Sequence, residues 1–188
     1  MVDLFALDRE LAPWEAELPT LRGAARLQSL VRMAWHLRQR DPRRAAALAR
    51  EARTLHEILP ASARGSFAAR LLLVDAEASW LRGELDEAGA LAGQALASFE
   101  AHGDAAGRAD ARWLRSWIES DRGDTDASDA ELVAAAVDAR AAGDALRIDV
   151  FDAVAALFSV FRDLHQAQAQ WGGRFDPEAE GLHPAAIG

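Results

Sequence analysis

Twenty-two residues recur forty positions apart, and this constrains the chain more than any other feature. "GELDEAGALAGQALASFEAHGD" (Gly83–Asp104) and "GDTDASDAELVAAAVDARAAGD" (Gly123–Asp144) both open on a Gly-acid pair and close on Gly-Asp. Aligned, Gly83 meets Gly123, Asp86 meets Asp126, and Gly103-Asp104 meets Gly143-Asp144. The alanine matches (Ala90 with Ala130, Ala95 with Ala135, Ala101 with Ala141) weigh little in an alanine-rich chain; the paired ends weigh more. An earlier copy fits at an offset of about 43, with Arg40-Asp41-Pro42 at the turn, Ala45 for Ala88 and Ala52 for Ala95. A fixed period of this length means one supersecondary unit that buries its apolar face only by stacking on its neighbours.

The unit is helical. Ala, Leu, Arg and Glu dominate, and no segment alternates β-branched residues at period two. Breakers at Pro19, Pro42, Pro60–Gly65, Gly83, Gly103, Gly123, Gly143 and Gly172 separate helices of ordinary length. The spacing predicts helices over 8–18 (kinked or shortened by Pro13), 21–40, 43–59, 66–82, 86–101, 105–121, 126–141 and 145–170. In the last, "VFDAVAALFSVF" is apolar nearly all round, which predicts burial at the end of the stack or against a partner. The expected organisation is a capping helix over 1–20, then units over about 21–62, 63–104 and 105–144. A partial unit over 145–170 and a Gly/Pro-containing loop over 171–188, reading as a lead into further sequence, complete it.

These positions resemble the tetratricopeptide repeat and its roughly 40-residue relatives in bacterial regulators. The matching residues are the turn position (Arg40, Gly83, Gly123), a small residue early in helix B (Ala45, Ala88, Ser128) and a second small residue (Ala52, Ala95, Ala135). The family's aromatic in helix A is replaced by His36, Ser79 and Glu119, and its closing proline survives only as Pro60. The resemblance implies an all-α, right-handed α-α superhelix of seven to eight helices with the A-helices lining a groove. The groove positions it carries over are Leu30, Ala34 and Leu37 in the first unit, Arg70, Leu73, Glu77 and Trp80 in the second, and Asp110, Trp113 and Trp117 in the third. Some relatives clamp a peptide's terminal carboxylate with Lys and Asn. Leu73, Glu77, Trp113 and Trp117 stand at those positions and the chain has neither residue type, so that mode is not expected.

Composition excludes several classes. There is no Cys, hence no thiolate or disulfide chemistry, and all 21 basic residues are Arg; Lys, Tyr and Asn are absent. With alanine so frequent, this reads as codon bias of a GC-rich, bacterial kind. Net charge is −9, against a nucleic-acid footprint, and the Arg-rich stretch 38–53 reads as a solvated helix face. No apolar run approaches a membrane span, and the acidic start is no signal peptide, so a cytoplasmic location is expected.

His36, His56, His102, His165 and His183 lack metal-ligand spacing. Asp124, Asp126 and Ser128 mimic the start of a calcium loop, but Asp129 and Ala135 replace its Gly and Glu, so a helix cap at Thr125 or Asp126 is expected instead. No catalytic motif, cofactor site or metal site is read. The expected function is a non-enzymatic module that binds a protein or peptide, or a second copy of itself. Tryptophan anchors would hold the partner, and the groove acids would favour a basic one. Two alternatives stand beside it: the N-terminal sensory region of a bacterial signalling protein such as a GGDEF diguanylate cyclase, and a small-molecule sensor with its pocket beside residues 145–170.

Overall fold

A computed structural model describes residues 4–6 and 8–165. Eight α-helices follow one another, and no strand occurs among the described residues: α1 (Asp8–Glu17), α2 (Gly23–Leu37), α3 (Pro42–Ile58), α4 (Phe67–Leu81), α5 (Leu85–Ala101), α6 (Ala105–Arg122), α7 (Thr125–Ala142) and α8 (Ala145–Arg162). α2 packs on α3, α4 on α5 and α6 on α7, so consecutive helices form antiparallel-type hairpins with short connections. Each hairpin's second helix then packs on the first helix of the next: α3 on α4, α5 on α6, α7 on α8. First helices also meet directly, α2 with α4 and α4 with α6. The result is an all-α helical-repeat stack with A-helices α2, α4, α6, α8 and B-helices α3, α5, α7.

Small residues are what let the layers approach. Each B-helix buries one stripe with the same spacing: Ala45, Ala49 and Ala52 in α3; Ala88, Ala92, Ala95 and Phe99 in α5; Ser128, Leu132, Ala135 and Ala139 in α7. Steps of four, three and four residues keep these side chains on one helical face. Gly107 makes the closest approach, because a Cβ there would fall inside the ring of the fully buried Phe99 on α5.

The turns follow their residues. Gly123 (φ 82°) and Gly143 (φ 67°) adopt the left-handed conformation that ends α6 and α7. Asp41, Asp104, Asp124 and Asp144 each accept a hydrogen bond from the backbone N–H three residues on, capping the helix that follows. The cap of α7 is thus Asp124, one residue before the expected Thr125. Arg40 is no conformational substitute for the turn glycines, since no non-glycine among the described residues has positive φ. The first turn is closed instead by Asp41 N–H donating to Leu37 O, with Pro42 starting α3.

α1 spans Asp8–Glu17 with Pro13 inside it, against the expected 8–18. One further expectation is corrected. α8 ends at Arg162, where Asp163 turns extended, and residues 166–170 of the expected helix lie outside the described residues, as do Trp171 and His183. Within α8, Val150 and Phe151 are buried, but Leu157 and Val160 stand 46% and 43% exposed, and Leu164, just beyond the helix, is 54% exposed. No helix among the described residues is long and apolar enough to cross a membrane.

Candidate functional site

A cleft of about 220 Å³ opens on the A-helix layer, lined by Phe5, Gln39, Glu77, Trp80, Trp113, Leu114 and Trp117. No B-helix residue and no residue of α8 contributes to it. Four of the ten candidate groove residues therefore come together here: Glu77, Trp80, Trp113 and Trp117. Their rings form two short rows across the layer. Phe5 meets Trp113 edge-on with centroids 6.0 Å apart, and Trp113 stacks on Phe151 at 5.8 Å. Trp80 meets Trp117 at 6.1 Å, and Trp117 packs edge-on against Phe158 at 4.9 Å. Trp80 and Trp117 are half-buried, whereas Trp113 is only 8% exposed and its indole N–H, also buried, has no hydrogen-bond partner.

The other candidates serve the stack rather than the cleft. Leu73 is core, as are Leu30, Ala34 and Leu37. Arg70 and Asp110 are buried against each other: Arg70 on α4 donates to Asp110 on α6, which also accepts from Arg147 Nε and Nη2 on α8, both at 2.8 Å. Arg147 reaches on to Asp144. Burial alone would push the Asp110 carboxyl up, but the Arg147 and Arg70 guanidiniums more than offset this and hold it below the usual carboxylate range. Glu77, though beside the cleft, has both oxygens engaged, one by Arg38 and one by Gln39. The groove acids thus offer no free negative charge to a basic partner, because each neutralises an arginine of a neighbouring A-helix or turn.

Residues 4–6, a non-helical segment before α1, complete the site. Leu4 is fully buried, and its carbonyl accepts from Trp35 Nε1 at 3.2 Å. The Ala6 carbonyl accepts from Arg40 Nη2 at 3.0 Å. Trp35, itself buried on α2, lies under the Arg38 guanidinium at 3.5 Å and that of Arg70 at 4.5 Å. Residues 4–6 therefore cross the A-helix layer with Phe5 facing α6, while Leu11 and Trp14 anchor α1 to the core. No protein-family model, curated protein or solved structure matches the chain.

Sequence reasoning missed Phe5, Gln39, Leu114, Trp35 and Arg147. The repeat offset held one usable signal: Arg70 and Asp110 are exactly one 40-residue period apart, so they occupy equivalent sites on successive A-helices and face each other. For Phe5 the signal was weaker, an apolar "LFAL" run ahead of the first helix that no helical face required.

Among the described residues no group of three or more His, Cys, Asp or Glu could hold a metal. His36 is buried with neither ring nitrogen hydrogen-bonded, its ring 5.4 Å from that of Trp14. Burial, then the positive field of Arg38 and three further arginines, lowers its pKa from 6.5 to about 3. Of the Arg-rich stretch, Arg43, Arg44 and Arg50 are exposed, as expected, but Arg38 is buried and Arg53 pairs with Asp75.

Proposed function

We propose that this chain is a non-enzymatic interaction module, tetratricopeptide-like in organisation, whose A-helix cleft takes an apolar or aromatic side chain from a peptide or protein. The single observation that carries this reading is the cleft itself, with three tryptophans and a leucine around about 220 Å³ on the layer opposite the B-helices. Aromatic walls contribute large contact area at low conformational cost, which is why such sites anchor partners. The engaged state of Glu77 and Asp110 shifts the expected partner from a basic segment to an apolar one.

The test is selection of random peptides on the purified chain. Enriched peptides should share an aromatic or large aliphatic residue, and Trp80→Ala should weaken their binding at least ten-fold while helicity is kept. Trp80 suits this because it is half-exposed; Trp113 is nearly buried and its loss would cost stability too. Enriched peptides without such a residue, or binding unchanged in Trp80→Ala, would overturn the reading.

Self-association is the second reading, favoured by the exposed Leu157 and Val160 on α8 and Leu164 just beyond it. The mass of the chain in solution decides it.

A further inference from the structure

Residues 4–6 are held in the manner of a bound peptide. They lie outside any helix, their two outer carbonyls are held by side chains of the A-layer, and the middle side chain lines the cleft. We propose that this arm is a tethered occupant of the cleft, and that the cleft's ligand is an extended peptide of the same chemistry: an aromatic residue flanked by aliphatic or small ones. The inference rests on the peptide-binding reading above and deepens it by naming both the ligand class and the control on access.

Three features distinguish an occupant from ordinary core. First, the donors that hold the arm, Trp35 Nε1 and Arg40 Nη2, read main-chain carbonyls, which any extended peptide offers. Second, Phe5 only half-fills its surroundings. It is partly buried and meets Trp113 at 6.0 Å, and the cleft remains open beside it toward Trp80 and Trp117. Third, the donor at Ala6 comes from an exposed side chain: Arg40 is exposed, although Ala6 itself is buried and the bond partly so. Leu4 opposes release, since it is fully buried against α2. α1 stays docked through Leu11 and Trp14, so release leaves α1 in place and the tether to it short.

A tether this short keeps the arm at an effective concentration of order millimolar, so a free peptide competes against a covalent neighbour. Its apparent affinity falls by the fraction of molecules in which the cleft is open. Weakening the arm's hold without altering the cleft should therefore tighten binding in trans.

The experiment uses the full chain and a fluorescein-labelled synthetic peptide, VDLFAL, corresponding to residues 2–7. Fluorescence polarisation gives its affinity for the wild type, Phe5→Ala and Leu4→Ala, with helicity checked for each. Phe5→Ala removes the anchor; Leu4→Ala removes the arm's buried aliphatic hold and leaves Trp35, Arg40 and the residues of the A-helices around the cleft in place. The expected result is that at least one folded variant binds the peptide ten-fold or more tightly than the wild type, and that Trp80→Ala abolishes the gain. Equal affinity of wild type and folded variants would overturn the arm as competitor while leaving the cleft a peptide site. No binding to any folded variant would overturn the cleft as a site for this peptide chemistry as well. Light scattering on the same samples covers exchange of arms between two copies. A wild-type dimer that becomes monomeric in Phe5→Ala would also overturn an arm folded back on its own chain.

Discussion

His36 shows at single-residue scale how the A-layer is built. Its ring sits among four arginines and under Trp14, so the folded state holds it neutral with a pKa near 3, against about 6.5 unfolded. Between those values the unfolded chain binds more protons than the folded one. Stability therefore falls as pH drops below 6.5, by about 2 kcal/mol at pH 5 relative to pH 7.5. Asp110 acts in the same sense at lower pH: its carboxyl is held low, so its contribution is present above the unfolded carboxylate pKa and is lost as pH falls through its folded value. Urea unfolding of wild type and His36→Leu at pH 7.5 and 5 should show the variant losing about 2 kcal/mol less on acidification. Equal losses would place the acid sensitivity elsewhere.

At the scale of elements, the sharpest constraint is between α5 and α6. A methyl group at Gly107 would occupy the space of Phe99, whose ring is fully buried and has nowhere to move. Gly107→Ala should lower stability by about 1–3 kcal/mol despite its better helix propensity, as overpacking does. Phe99→Leu should recover part of that loss in the double variant, measured by thermal unfolding, and additive losses would contradict the contact. Much at this scale was legible in the sequence. Breaker spacing located seven helices and the start of the eighth to within a few residues, and the repeat offset located the buried small residues of the B-helices, because both are local or periodic signals. The turn at Arg40 was not legible, since Asp41 and Pro42 solve locally what glycine solves elsewhere. Nor was the distribution of the groove candidates. A helical period assigns Arg70 and Asp110 to the same layer as Trp80 and Trp117, but not which of them meet each other instead of solvent. That depends on the Arg147 contact, 37 residues along the chain from Asp110.

At the scale of the molecule, the stack joins its A-helices by buried charge as well as by packing. Arg38–Glu77 ties the end of α2 to α4, Arg70–Asp110 ties α4 to α6, and Asp110–Arg147 ties α6 to α8. Breaking such a pair costs about 3–5 kcal/mol by stranding its partner, so these contacts fix the register of neighbouring units. Fixed register is what keeps Trp80, Trp113 and Trp117, drawn from two different helices, around one cleft. Phe5 then closes one side of it. The most direct measurement is the set of tryptophan indole N–H resonances of the full chain, titrated with an unlabelled aromatic-anchored peptide. If the cleft is the binding site, the signals of Trp80, Trp113 and Trp117 shift together and saturate with a single affinity. If the peptide binds while those three signals stay in place, the cleft is not where this protein meets its partner.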